Sequence, residues 1–311
     1  MSEPLDGPPR YGASGPVRVR VPAKINLHLG VGELRPDGYH ELTTVYQAIS
    51  LYDELTATRA DALMLTVDGE GADGLSTGDA NLAVRAVKAL AAHTGYAPHA
   101  RLQLRKSIPV AGGLAGGSAD AAAALVACDA LWGTGMSRDE LAEVAASVGS
   151  DVPFLVLGGI ALGTGRGERV SPVLATGSWQ WVVAVADGGL STPTVYAELD
   201  RLRGMDRAPQ SGDPGRLLAA LRQHDPQVLA EALANDLQPA AVSLRPELRT
   251  TLRAGLDEGA LAGFVSGSGP TCVFLARTAE HATVLAARIS ARGVCRTVRT
   301  AHGPVAGARV I

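Results

Sequence analysis

Between Pro109 and Asp120 the chain reads Pro-Val-Ala-Gly-Gly-Leu-Ala-Gly-Gly-Ser-Ala-Asp, then runs without a linker into Ala121-Ala122-Ala123-Ala124-Leu125-Val126. Four glycines fall within six residues, and an Ala-rich helix follows at once. Glycine lacks a Cβ, so such a loop can take positive φ and let a bulky ligand approach the backbone. The first N–H groups of the helix have no intrahelical acceptor and carry the positive end of its dipole. Together they form a cradle for an anion, and a nucleotide phosphate uses that many backbone donors. Plain close packing of a turn against a helix would suit the same composition. The run lacks the Gly-Lys-Ser/Thr ending of a P-loop and the strand-first Gly-x-Gly-x-x-Gly of a dinucleotide site. A phosphate held here is held by another architecture.

The rest of the 311 residues allows two domains, each with its own core. A net charge of -3 with no basic stripe argues against nucleic acid as partner. No apolar run reaches the roughly 20 residues needed to cross a bilayer, so no membrane partner is expected. Cys128, Cys272 and Cys295 make neither a metal pattern nor an even disulfide framework, and the reading is a cytoplasmic protein with reduced thiols. Residues 1–15, rich in Pro and Gly, read as a flexible tail rather than a signal peptide.

Alternation predicts strands at 17–21 and, after an interruption at Pro22, at 25–29, with Lys24 between them. Arg35-Pro36-Asp37-Gly38-Tyr39-His40 is a turn by composition. Strands follow at 42–49, 51–58 and 63–67, a helix at 81–93, a strand at 101–105, and helices at 118–132 and 137–148. Past residue 158 short strands and turns predominate, then a buried strand at 181–186. Helices are expected at 194–203, 216–222, 228–237, 246–258 and 279–290, with a hairpin at 262–275 and a last strand at 294–298. Residues 204–215 read as a mobile surface loop. The fold class is α+β: two domains, each a sheet packed with helices, with an active site in the cleft between them. The N-terminal domain is expected over 16–165 and the C-terminal one over 166–311.

Three stretches taken together resemble the GHMP kinases, small-molecule kinases that use ATP. The run from Pro109 to Ala119 is similar to their phosphate loop, Gly267-Ser268-Gly269-Pro270-Thr271 to their C-terminal Gly-rich motif, and Ala23-Lys24-Ile25-Asn26-Leu27 to their N-terminal motif. The Arg35–His40 turn and Ser150-Asp151-Val152-Pro153-Phe154 resemble one branch, whose substrate is a methylerythritol carried on cytidine diphosphate in the non-mevalonate isoprenoid pathway. The resemblance implies ATP-dependent phosphorylation of the 2-hydroxyl of that alcohol, with Mg²⁺ bound mainly through the ATP phosphates and no protein ligand assigned to it.

It also implies roles. Asp151 accepts the hydroxyl proton or orients the hydroxyl, and Lys24 steadies the carboxylate and the migrating phosphoryl. Alone, Asp151 would read as a turn residue held by backbone N–H groups and Lys24 as a solvated strand-edge lysine. Pro109-Val110-Ala111-Gly112-Gly113-Leu114-Ala115-Gly116-Gly117-Ser118-Ala119 would form the ATP site, binding the phosphates through N–H groups of residues 112–119, with the Ser118 hydroxyl reaching phosphate. Tyr39 and His40 would lie at the cytosine with Asn26 nearby, and Tyr196 would cover its other face. Gly267, Ser268, Gly269 and Thr271 would run along the diphosphate and sugar alcohol. The sequence departs from the family at Asp120, where Asn or Ala often stands; it is expected to serve the helix dipole and point away from the nucleotide. His28 reads as structural. Rival readings are a mevalonate or homoserine kinase, a decarboxylase on the same scaffold and a non-catalytic ATP-binding regulator. A dinucleotide-dependent oxidoreductase is a weaker one.

Overall fold

The computed structural model describes residues 12–110, 112–208 and 210–311. The chain begins in a long antiparallel pair, β1 (Val17–Leu34) and β2 (His40–Thr58), joined by the turn at 35–39. Both are continuous where the sequence suggested breaks. Pro22 pairs with Tyr52 at a register shift, and a bulge is one place a strand tolerates a residue without an N–H. A second shift between Asn26 and His28 leaves Lys24 and Asn26, two apart, on one face of β1.

Then come β3 (Met64–Gly69), α1 (Leu82–Thr94), β4 (Arg101–Lys106) and α2 (Gly116–Trp132). Asn81 caps α1 by accepting from Ala83 N–H at 2.9 Å. Helix α2 is apolar on every side and lies buried against β1, β2 and α1. α3 (Arg138–Ala146) starts with a capping box between Ser137 and Glu140. α4 (Val152–Leu157), a helix the sequence did not suggest, follows; β5 (Ile160–Gly165) and β6 (Arg169–Pro172) extend the sheet from β2.

A second, four-stranded sheet has the order β11-β7-β10-β9, with β7 (Trp179–Val185), β9 (Ala262–Val265), β10 (Cys272–Ala276) and β11 (Thr297–Gly303). Around it stand α5 (Thr192–Arg203), α6 (Gly215–Ala220), α7 (Pro226–Ala230), α8 (Gln238–Leu244), α9 (Glu247–Asp257) and α10 (Ala279–Ala291). Its strands alternate between two cores: Trp181 and Val183 join the core of the first sheet, whereas Val182 and Ala184 join Val195, Leu199, Leu248 and Leu285.

Two short strands return to the first sheet. β8 (Ala234–Asn235) pairs parallel with His28 and Leu29, and β12 (Arg309–Val310) pairs antiparallel with Val19 and Arg20. The helix expected over 228–237 is therefore broken by a strand. The last strand begins at Thr297, three residues later than its periodicity suggested. Residues 1–11 of the expected tail lie outside the described residues. Ala13, by contrast, is docked: its N–H donates to Ala130 O at 3.1 Å and Arg59 donates to its carbonyl. The 204–215 loop is tied down where Ser211 N–H donates to Asp236 at 2.6 Å.

Candidate active site

The start of α2, the middle of β1 and the start of α4 converge on a cleft of about 720 Å³. Ala115 takes the N-cap of α2 in the left-handed conformation (φ 58°), so the chain turns sharply into the helix. The amides of Gly116, Gly117 and Ser118 thus lack an intrahelical acceptor at the cleft wall, where Gly112, Gly113 and Ala115 also lie.

Other residues of the run serve its packing. Ala119 N–H is spent on Ala115 O at 2.9 Å, and both Ala119 and Leu114 are fully buried in the core. Pro109 is buried and Val110 half-exposed, and neither lines the cleft. Ala111 lies outside the described residues. Of the described residues of the run, Gly112, Gly113, Ala115, Gly116, Gly117 and Ser118 line the cleft.

The second Gly-rich turn locks onto the first. Ser266 Oγ donates to Gly113 O at 3.0 Å, and Thr271 N–H donates to Gly112 O at 3.3 Å. Contact is so close that a Cβ on Gly113 would stand 2.2 Å from Ser266 O. Gly267 (φ +55°) packs against the lysine: a Cβ there would lie 3.5 Å from Lys24 Nζ. Gly267, Ser268 and Gly269 line the cleft, whereas Thr271 is fully buried behind the first loop and does not line it. Asn235, which the sequence did not single out, holds this turn by donating to Val265 O and Gly267 O at 2.6 and 2.8 Å.

Asp151 precedes α4, yet its carboxylate makes no capping bond. One oxygen accepts from the Tyr46 hydroxyl at 3.1 Å; the other lies 3.6 Å from Lys24 Nζ. Lys24 is 5% exposed and donates to Asn26 Oδ1 at 2.7 Å, while the Asn26 amide donates to Thr44 at 2.9 Å. So Asn26 reaches the cleft as the partner that aims Lys24. Burial, with Asp151 beside it, pushes the Tyr46 phenol well above its usual range, which keeps it a proton donor to that carboxylate. Tyr46 went unnoticed in the sequence because alternation marks it only as an inward strand residue.

Along the cleft, the His40 ring stacks on Tyr196 with centroids 5.2 Å apart, and Nε2 meets Asp200 at 2.9 Å. Tyr39 is exposed, and the Arg166 guanidinium lies over its ring, 5.0 Å from the centroid. Arg166 lines the cleft and makes no ion pair among the described residues. Its place between Gly165 and Gly167, both at positive φ, is the signal that could have marked it. His28 is buried away from the cleft, and burial lowers its pKa.

Asp120 does point away from the cleft, but the helix dipole expected to favour it does not apply: it lies past the first turn of α2 and is buried against Lys106. No group of three or more His, Cys, Asp or Glu side chains among the described residues is placed to hold a metal.

Helix-start amides facing a lysine–carboxylate pair, with stacked rings in the same cleft, define a phosphotransferase for small molecules. The chain belongs to the GHMP kinases: the family's N-terminal domain matches residues 81–159 and its C-terminal domain residues 217–295. It is 71% identical over 309 residues to a 4-diphosphocytidyl-2-C-methyl-D-erythritol kinase of Salinispora tropica, covering 99% of this chain and 98% of that one. A solved 4-(cytidine 5'-diphospho)-2C-methyl-D-erythritol kinase is similar at 32% identity and a TM-score of 0.74, over 92% of this chain and 98% of that one. Homoserine kinase from Cytophaga hutchinsonii superposes with a TM-score of 0.76 at 19% identity, over 97% of this chain and 99% of that one. That second likeness concerns the fold alone.

Proposed function

We propose that this kinase transfers the γ-phosphoryl group of ATP to the 2-hydroxyl of 4-diphosphocytidyl-2-C-methyl-D-erythritol, giving the 2-phosphate and ADP. The observation that carries the reading is the Lys24–Asp151 pair, 3.6 Å apart and in one cleft with the free amides of residues 116–118. Phosphoryl transfer asks mainly for placement and charge stabilisation. The substrate hydroxyl oxygen attacks the γ-phosphorus as the bond to the bridging oxygen breaks and ADP departs. Asp151 takes the hydroxyl proton, and Lys24 offsets charge on the equatorial oxygens. Tyr46 and Asn26 hold these two groups in register. Mg²⁺, bound to the ATP phosphates, would neutralise their charge, and Asp151 is a carboxylate facing the same space.

The cytidine end is read by the rings. With Nε2–H given to Asp200, a neutral His40 presents Nδ1 as an acceptor, which matches the exocyclic amine of cytosine. Tyr196 and Tyr39 offer faces for stacking, and Arg166 supplies the positive charge a diphosphate needs. Mevalonate and homoserine have no base to use these groups. The reading keeps the protein in the cytoplasm, without nucleic-acid or membrane partners; no described helix is long and apolar enough to cross a bilayer.

ADP release from purified protein with ATP and Mg²⁺ tests it, using the cytidylated alcohol, mevalonate, homoserine and galactose in turn. ADP formed with the cytidylated alcohol alone supports the proposal. ADP formed with none of them favours a regulator, and ADP accompanied by CO₂ from an acid substrate favours a decarboxylase.

A further inference from the structure

Beneath the phosphate loop lies a cluster of three charged side chains, none of which lines the cleft itself. Lys106, the last residue of β4, is 3% exposed; Asp53 of β2 is fully buried and Asp120 of α2 is 3% exposed. The Lys106 ammonium donates to both Asp120 oxygens at 2.9 and 2.8 Å and to Asp53, and it reaches Gly116 O at 3.3 Å. The remaining Asp53 oxygen accepts the backbone N–H groups of Ser107 and Ile108 at 2.5 and 2.8 Å. The cluster therefore grips the chain just before the loop, at 107–108, and just after it, at 116–120. Burying three charges is costly unless they earn something beyond stability, since apolar residues of the same volume commonly pack as well.

We propose that Asp53, Lys106 and Asp120 are positioning residues for the phosphate loop, and that the charge they share sets how tightly the loop holds ATP. The inference rests on the nucleotide reading of the loop given above. One ammonium against two carboxylates leaves a net charge of -1 when all three are ionised, and that charge sits behind amides that must bind an anion. Burial, opposed by Lys106 and reinforced by Asp53, raises Asp120 to about 8. Lys106 from β4 and Asp53 from β2 are the charged groups that face it. Near neutrality the cluster keeps a proton and is uncharged overall; at higher pH it turns negative and repels the phosphates.

The test is equilibrium binding of MgATP, without acceptor, to wild type and to Asp120→Asn at pH 7.5 and pH 9. Ionisation of ATP itself is common to both proteins and cancels in their ratio. Wild type should lose about threefold to tenfold in affinity relative to the variant, the scale of one partly screened charge. Cytidine diphosphate, titrated in parallel, should show no such divergence. A measurement on wild type alone guards against a variant that misfolds. By reciprocity, saturating ATP should raise the Asp120 midpoint, followed by carboxyl NMR, by about half to one pH unit. Identical pH dependence in both proteins, an unmoved midpoint, or equal losses for ATP and cytidine diphosphate would overturn the proposal. Wild type that binds no ATP at either pH sinks the nucleotide reading, and this inference with it.

Discussion

Asp151 owes its use to a bond it does not make. An aspartate ahead of a helix ordinarily accepts from the first turn; here both oxygens turn to Tyr46 and Lys24 instead. Tyr46→Phe keeps the ring against Phe154 and removes only the hydroxyl, so the carboxylate loses its neutral donor. We expect kcat to fall roughly 10- to 100-fold, the scale of one hydrogen bond to a charged group, with KM for ATP unchanged. Steady-state kinetics in both substrates checks this, and a variant with wild-type kcat removes Tyr46 from the site. Motif context singled out Lys24 and Asp151, which the structure brings to 3.6 Å, because each is unremarkable by itself. It could not place Tyr46, Arg166 or Asp200, whose roles exist only once strands and helices far apart in the chain meet. Asp120 was readable as turned from the cleft, but its partners Lys106 and Asp53, 14 and 67 residues upstream, were not.

At the scale of elements, the two Gly-rich turns form one unit. Gly113 and Gly267 have positive φ; a Cβ on Gly113 would collide with Ser266 O, one on Gly267 would press on Asn26 Oδ1 at 3.3 Å, and their contact sets the distance from the helix start to Lys24. Gly267→Val should strain the backbone and press on the ammonium; we expect kcat to drop at least about 10²-fold, as misplacement of catalytic groups does. Binding of cytidine, which would use only the His40, Tyr196 and Tyr39 rings, should survive within about threefold, which calorimetric titration would show. Gly116→Val would bring side-chain atoms into the Lys106–Ile108 contact and the loop wall together, so KM for ATP should rise steeply. Helix α2 was legible from composition alone, since a run of alanines behind glycines has few other uses. The 228–237 stretch was not, because a two-residue strand bridging to β1 leaves no periodic signature.

For the whole molecule, the buried cluster also couples folding to pH. Asp120 moves from an ordinary value of 3.8 to about 8 on folding. Between those values the folded state holds a proton that the unfolded chain releases, so stability should fall as pH rises through that window and level off above about pH 8. Lys106 is raised as well, its carboxylate partners outweighing burial; its contribution is complete below its ordinary 10.5 and lost only at higher pH. Asp120→Asn should flatten the decline between pH 5 and 8, measured by denaturant midpoints. An unchanged slope would show that the carboxyl is already ionised in the folded protein. Two sheets joined through strands β8 and β12 bring residues from both halves of the chain to one cleft, and this is the level at which the sequence was least explicit.

Asp151→Asn offers the most direct trial of phosphotransfer by this cleft, because it retains shape and removes the proposed proton acceptor. Single-turnover phosphorylation of the cytidylated alcohol, measured beside ATP affinity, should slow by about 10²–10⁴-fold while nucleotide binding stays within a fewfold of wild type. Turnover near the wild-type rate would contradict the account.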